Sequence, residues 1–134
     1  MMSENKKNIS VMLVDDDVDF LTQTKIRMEA AGYTVKTAES QKGGEKLLED
    51  FTPDIAILDL MMENMDGGFA LAYRIKKKDP NIPVIIASGV SSETGIEFDA
   101  KTDEERSWIR ADAFLAKPIR FEQLEKEINK LLNK

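Results

Sequence analysis

Residues 53–68 have the sequence PDIAILDLMMENMDGG, and this stretch decides the fold. Ile55 to Leu58 are continuously apolar, which is typical of a strand that is covered on both faces in a parallel sheet. Asp59 follows at the carboxyl end of that strand, and in an open α/β sheet the carboxyl ends form the crevice in which ligands bind. The stretch therefore predicts a parallel sheet with a functional carboxylate at one edge.

The rest of the chain repeats the same unit of strand and helix. We expect strands at residues 9–14, 33–38, 55–58, 82–87 and 113–116. Helices are expected from the acidic residues after the first strand to Ala31, from Ser40 to about Phe51, at 67–78 and from residue 121 onward. Regular alternation of strands and helices predicts an α/β fold, a doubly wound five-stranded parallel sheet.

Residues 89–112 interrupt this alternation and are the least regular part of the sequence. Thr102 and Glu105 have the spacing of a capping box, which predicts a helix near residues 103–110. Trp108 and Ile109 would give that helix an inward face, and the residues before it are expected to form an exposed loop. We therefore predict an extended connection between the fourth and fifth strands.

Length and composition indicate one domain over residues 1–134, with a polar tail at 1–8. The chain has 42% hydrophobic and 33% charged residues, which is ordinary for a globular protein. Its apolar runs are too short to cross a bilayer, and residues 1–8 do not resemble a signal peptide. The expectations are a cytoplasmic location and no membrane partner.

The chain contains no cysteine and no histidine. It therefore cannot build a zinc site of cysteine and histidine, a thiol nucleophile or a Ser-His-Asp triad by itself. Its net charge of −6 and the lack of a basic stripe also argue against a nucleic-acid partner. The run Lys76 to Lys78 is better explained as a solvated helix end that favours cations.

Four acids lie within five residues at the end of the first predicted strand, in the sequence DDDVD at 15–19. One of them, Asp17 or a neighbour, is expected to cap the following helix, because a side-chain oxygen there can accept from a free backbone N–H. Asp15 and Asp16 stand where the strand ends. These two are the better candidates for a ligand site.

Right-handed crossovers bring the carboxyl ends of parallel strands to one edge of the sheet. This edge should gather Asp15, Asp16, Asp59, Ser88 and Lys117. Carboxylates this close need a cation, and Mg2+ is the natural one, because it prefers oxygen ligands and completes its shell with water and phosphate oxygens. A carboxylate in such a site can attack phosphorus and form an aspartyl-phosphate, while a lysine holds the phosphoryl oxygens.

Four motifs together make the sequence similar to the response-regulator receiver domains of two-component signalling, over nearly the whole chain. They are VDDD at 14–17, ILDLMMENMDG at 57–67, IIASG at 85–89 and FLAKP at 114–118. The resemblance implies a flavodoxin-like three-layer sandwich with strand order 2-1-3-4-5.

The resemblance also implies roles for the residues at the sheet edge. Asp59 would be the phosphoacceptor, and Asp15 and Asp16 would be the acidic pair that serves Mg2+ together with Asp59. Met61 would give its backbone carbonyl to the metal. Lys117 would be the cation that pairs with the phosphate.

Two further positions match the family's switch residues, and two features depart from its pattern. Ser88 would be the switch hydroxyl, Phe114 occupies the aromatic switch position, and the Lys117–Pro118 peptide would be cis. Glu63 stands where family members usually have proline, so the loop after Asp59 is expected to be more mobile and more acidic. The stretch from Ser88 to Lys117 is longer than usual, which predicts an unusual partner surface.

The leading hypothesis is a switch that is not an enzyme, except that it would phosphorylate and dephosphorylate itself. A histidine kinase or phosphotransfer protein would donate the phosphoryl group to Asp59, and the signal would pass to an unknown output partner.

Two alternatives remain open. Asp15 and Asp17 fit the Asp-x-Asp signature of haloacid-dehalogenase-type phosphatases, with Asp15 as nucleophile, but an acidic metal pair after Lys117 is missing and Asp59 is left without a role. The other alternative is a docking module that binds its partner without phosphorylation.

Overall fold

The computed structural model describes residues 9–60, 67–88, 111–117 and 119–132. The strands are β1 Ser10–Val14, β2 Thr34–Ala38, β3 Ile55–Asp59, β4 Val84–Ser88 and β5 Ala113–Ala116. The helices in these ranges are α1 Val18–Ala30, α2 Gln41–Asp50, α3 Gly67–Lys78 and α4 Phe121–Leu132. Several predictions concern residues outside the described ranges, namely the tail 1–8, Met61, Glu63, the helix near 103–110 with Trp108, and the cis peptide at Pro118.

All strand pairs are parallel, and the order across the sheet is β2-β1-β3-β4-β5. Successive residues of a strand point to opposite faces, so each central strand supplies both sides of the core. On one face Val11 and Leu13 belong to a buried cluster that includes Met28 of α1 and Ile128 of α4. On the other face a second buried cluster includes residues of α2 and α3. The α/β fold class, the three-layer sandwich and the predicted order 2-1-3-4-5 are confirmed.

The helix ends follow from the residues that precede and follow them. Asp17 caps α1, because its Oδ1 accepts a hydrogen bond from Phe20 N at 3.1 Å. Ser40 caps α2 by accepting from Gly43 N at 2.9 Å. Gly32 has a φ of 105°, a left-handed conformation that glycine adopts without a side-chain clash, and it lets the chain leave α1.

The strands differ from the prediction by one or two residues at some ends, and hydrogen bonding explains the later starts of β2 and β4. Tyr33 N donates to Met28 O at the end of α1, so β2 begins one residue later than expected. Ile82 N donates to Asp79 O in the turn after α3, and Pro83 has no N–H to donate. The fourth strand therefore runs over Val84–Ser88 rather than 82–87.

Asp112 fixes the start of β5 against β4. Its Oδ2 accepts from Val84 N at 2.8 Å and from Lys76 Nζ at 2.7 Å, while its own N–H donates to Val84 O at 2.8 Å. Lys78 donates to the carbonyls of Leu48 and Phe51. Two lysines of the run 76–78 thus have specific partners, which the interpretation as a solvated helix end did not include.

The first turn of α3 lies directly against the backbone at the end of β3. Gly68 N donates to Leu60 O at 2.8 Å. A Cβ on Gly68 would lie 2.7 Å from Leu60 Cα and still closer to the carbonyl oxygen of Asp59. Only glycine allows this approach, so Gly68 helps to fix the place where β3 ends and α3 begins. Among the described helices, none has both the length and the apolar character needed to cross a bilayer.

We expect Gly68→Ala to lower the free energy of unfolding by about 1–3 kcal/mol, the usual cost of overpacking against atoms that cannot move aside. Urea unfolding measures the change. Gly43→Ala is the matched control, since its Cβ would meet only side-chain atoms, Ser40 Oγ at 3.2 Å and Ala38 Cβ at 3.3 Å. A Gly68→Ala protein as stable as the wild type would contradict the close approach.

Candidate functional site

The carboxyl ends of β1, β3 and β5 bring four of the predicted residues together. Asp15 and Asp16 follow β1, Asp59 is the last residue of β3, and Lys117 follows β5. Lys117 Nζ lies 2.6 Å from Asp15 Oδ2 and 3.4 Å from Asp59 Oδ1. Three elements that are distant in the sequence therefore meet in one ionic cluster, at the edge where the sequence predicted it.

Asp15 is the most deeply buried member of this cluster, with 1% of its surface exposed. Its Oδ1 accepts from Asp17 N at 2.9 Å, and its Oδ2 accepts from Lys117. Both oxygens therefore have a partner, which offsets the cost of burying the charge. Asp59 is 7% exposed, and Asp16 is exposed to solvent.

The electrostatics of the cluster follow from burial and like charges. Burial and, after it, the charge of Asp15 raise the pKa of Asp59, while the Lys117 ammonium opposes the rise; together they bring the pKa from 3.8 to about 6. Burial also disfavours the charged form of Lys117. The hydrogen bond and charge of Asp15 outweigh this effect, and the pKa of Lys117 lies above its ordinary value. The charge states of Asp59 and Lys117 thus depend on each other and on the charge of Asp15 beside them.

The donor set fits Mg2+. Asp15, Asp16 and Asp59 each offer a carboxylate oxygen, and these oxygens lie within 4.8 Å of one another. Two ligands of one Mg2+ ion at 2.0–2.1 Å are at most about 4.2 Å apart, so modest side-chain rotation would bring the three within reach of a single ion. Mg2+ keeps several water ligands, and the exposed Asp16 leaves one side of the group open to solvent.

The remaining predicted site residues are described less fully. Ser88 ends β4, where it pairs with Ala116, and its strand lies between those that carry Asp59 and Lys117. Phe114 lies in β5 and is half-buried. Its ring makes an edge-to-face contact with Phe69 of α3, with centroids 6.4 Å apart. The roles assigned to Ser88, Phe114 and Met61 stay predictions.

Comparison of the sequence with models of known protein families identifies the family to which the chain belongs. Residues 11–129 match the model described as the response regulator receiver domain. The chain belongs to the response regulator receiver domain family.

Among curated relatives, the transcriptional regulatory protein ZraR of Escherichia coli K12 is 32% identical over 126 residues. The aligned region covers 93% of this chain and 26% of ZraR. The chain also spans 52% of the length of a second relative, the transcriptional regulatory protein AfsQ1 of Streptomyces coelicolor. The chain thus spans only part of the length of these two regulators.

Among solved structures, a CheY-like receiver domain protein from Methanospirillum hungatei superposes with a TM-score of 0.77 and 25% identity. The match covers 93% of this chain and 94% of that one. Receiver domains of two-component systems have a phosphorylatable aspartate and bind Mg2+ at an acidic pocket. The cluster of Asp15, Asp16 and Asp59 has the composition of such a pocket.

The phosphatase alternative loses support at Asp17. In that alternative both aspartates of the Asp-x-Asp signature, Asp15 and Asp17, would serve the reacting group. Here Asp17 Oδ1 accepts from Phe20 N as the cap of α1, so its carboxylate serves the helix end.

Sequence reasoning missed Phe20. The Phe20 ring lies beside Lys117, with Nζ 4.8 Å from the ring centroid, within the range of a cation–π contact. Both side chains line a cleft of about 720 Å³ between α1 and the residues after β5. Its position in the sequence could have indicated this contact, because Phe20 lies in the first turn of a helix that starts directly after the acidic residues 15–17.

We expect Asp59→Asn to stabilise the receiver domain in EDTA at pH 7.5 by about 1–3 kcal/mol, because it removes a buried negative charge beside Asp15. The raised pKa of Asp59 means that folding takes up a proton. The stability linked to the protonated carboxyl is fully present below pH 3.8 and is lost as the pH rises through about 6. The advantage of Asp59→Asn should therefore shrink as the pH falls towards 4.

Urea unfolding of both proteins over this pH range measures the effect. Asp19→Asn is the control, because it removes an exposed acid in the first turn of α1 and should give no gain. Equal stabilities of the wild type and Asp59→Asn at every pH would contradict the repulsion between the buried carboxylates.

Proposed function

We propose that this receiver domain is a phosphoacceptor switch of a two-component phosphorelay, with Asp59 as the residue that accepts the phosphoryl group. The observation that carries the proposal is the ionic cluster. Asp59 ends β3 with Lys117 Nζ at 3.4 Å and with Asp15 and Asp16 beside it. A nucleophilic carboxylate, a cation for phosphoryl oxygens and a set of oxygen ligands thus lie within one group.

In the proposed reaction an oxygen of Asp59 attacks phosphorus of a phosphohistidine. A new O–P bond forms, the N–P bond breaks, and its electron pair returns to the imidazole nitrogen, which takes a proton. Asp15 accepts a hydrogen bond from Lys117 at 2.6 Å and so holds the ammonium where it can stabilise negative charge on the phosphoryl oxygens. Mg2+ held by Asp15, Asp16, Asp59 and the carbonyl of Met61 would neutralise charge on the phosphoryl group.

The donor is proposed to be a histidine kinase or a phosphotransfer protein. The 134 residues contain no histidine, so the phosphohistidine must come from outside this sequence. ZraR, like AfsQ1, is described as a transcriptional regulatory protein, whereas the output partner of this chain is unidentified. We propose signalling through protein–protein contacts and a cytoplasmic location.

Phosphorylation would act by stabilising one of two arrangements that already exist in equilibrium. Ser88 and Phe114 are the proposed reporters of the phosphoryl group. Phe114 packs edge-to-face on Phe69 of α3, the helix that begins next to Asp59, and this contact supports a link between the site and the aromatic position. In this proposal the phosphoryl group of the donor ends on the domain's own Asp59, and the domain converts no substrate other than that donor.

The test is the intact mass of the protein after incubation with a small phosphodonor, such as phosphoramidate, and Mg2+. We expect the wild type to gain one phosphoryl group, because the donor supplies the group and Asp59 supplies the nucleophile. Asp59→Asn should gain none, and EDTA should suppress the gain in the wild type.

Asp15→Asn and Asp19→Asn complete the experiment. Asp15→Asn should keep some labelling at a reduced rate, and Asp19→Asn should label like the wild type. Labelling that persists in Asp59→Asn but is lost in Asp15→Asn would instead support the phosphatase. A protein that is never labelled, with Trp108 fluorescence unaffected by Mg2+ and beryllofluoride, would support the docking module.

A further inference from the structure

The Lys117 ammonium contacts the aromatic ring of Phe20 as well as the carboxylates of Asp15 and Asp59. Lys117 Nζ is 4.8 Å from the Phe20 centroid, 2.6 Å from Asp15 Oδ2 and 3.4 Å from Asp59 Oδ1. The face of a benzene ring is negative, so it attracts the ammonium without taking its proton. The ring thus adds a third attractive contact to the two ion pairs.

The backbone of Phe20 is held in place independently of Lys117. Its N–H donates to the capping Oδ1 of Asp17 at 3.1 Å, and Asp17 N in turn donates to Asp15 Oδ1 at 2.9 Å. The Phe20 side chain also packs against the core cluster that contains Leu21 and Leu124. The loop that carries Asp15 therefore also fixes the residue that contacts its ion-pair partner.

Lys117 needs such a contact because its own side chain is long and flexible. The Lys117 side chain is 21% exposed and lines the open cleft next to Phe20. A lysine at the mouth of a cleft can rotate towards water, which would remove the ammonium from Asp59. A ring that covers part of the ammonium favours the orientation in which Nζ stays near the carboxylates.

We propose that Phe20 is a positioning residue that acts through Lys117. Its ring keeps the ammonium over the end of β3, where the transferred phosphoryl group arrives. The role rests on the proposed function for its effect on labelling, but the contact itself can be measured without any phosphoryl transfer.

The first measurement is the NMR signal of the Lys117 ε-methylene protons, assigned with Lys117→Ala. A ring at this distance should shift these protons upfield in the wild type. Phe20→Leu should abolish the shift, and Phe20→Tyr, which keeps the ring, should retain it. Phe121→Leu is the matched control, because Phe121 lines the same cleft and packs against the same core cluster.

The second measurement is the labelling rate with phosphoramidate and Mg2+. Phe20→Leu should slow labelling by about threefold to tenfold, the size expected for losing a cation–π contact. Phe20→Tyr and Phe121→Leu should stay within about twofold of the wild type. In a Lys117→Ala background, Phe20→Leu should cause no further loss, because the ring acts through the lysine.

The outcomes separate this inference from the proposed function. Failure to label the wild-type protein would contradict the proposed function. In that case the inference stands only if Phe20→Leu removes the upfield shift of the Lys117 protons and weakens the binding of beryllofluoride in the presence of Mg2+. Equal labelling of wild type and Phe20→Leu, an unchanged Lys117 signal, or a further loss in the Lys117→Ala background would each overturn the inference alone. Protein that binds neither phosphoryl group nor beryllofluoride overturns both.

Discussion

The structure depends on the balance of charge between two buried carboxylates and one ammonium group. Asp15 is 1% exposed and Asp59 is 7% exposed, and neither charge is tolerable in the interior without compensation. Lys117 supplies it from β5, two strands away from β3 in the sheet. The cluster can therefore form only when β4 and β5 have paired in the observed register. The site is therefore complete only when the sheet is complete.

The sequence predicted those parts of the fold and of the site that local patterns determine. The apolar run Ile55 to Leu58 identified the central strand, and the acids after β1 identified both the cap of α1 and the residues at the sheet edge. The parallel arrangement then placed Asp15, Asp59 and Lys117 at one edge, which the distances bear out. Their chemical roles remain predictions, because contacts alone do not establish a reaction.

The features that the sequence did not predict are contacts between side chains or backbones of different elements. Phe20 has the appearance of an ordinary core aromatic until its distance from Lys117 is known. Gly68 was part of a helix start, and only the structure shows that the Asp59 and Leu60 backbone leaves no room for a Cβ. Lys76 was assigned to a solvated helix end, and its partner Asp112 lies 36 residues further along the chain. No periodicity or spacing encodes such pairs.

Two hydrogen bonds between Asp112 and Val84 make the position of Lys117 independent of the connection that precedes β5. Asp112 N donates to Val84 O, and Val84 N donates to Asp112 Oδ2, so the register of β5 is set at the point where the strand begins. Residues can then be added or removed between Ser88 and Asp112 without moving Lys117 relative to Asp15 and Asp59. The entropic cost of closing a longer connection grows only slowly with its length. A protein engineer who inserts a reporter peptide between Ser88 and Asp112 should therefore find the cluster of Asp15, Asp59 and Lys117 unchanged.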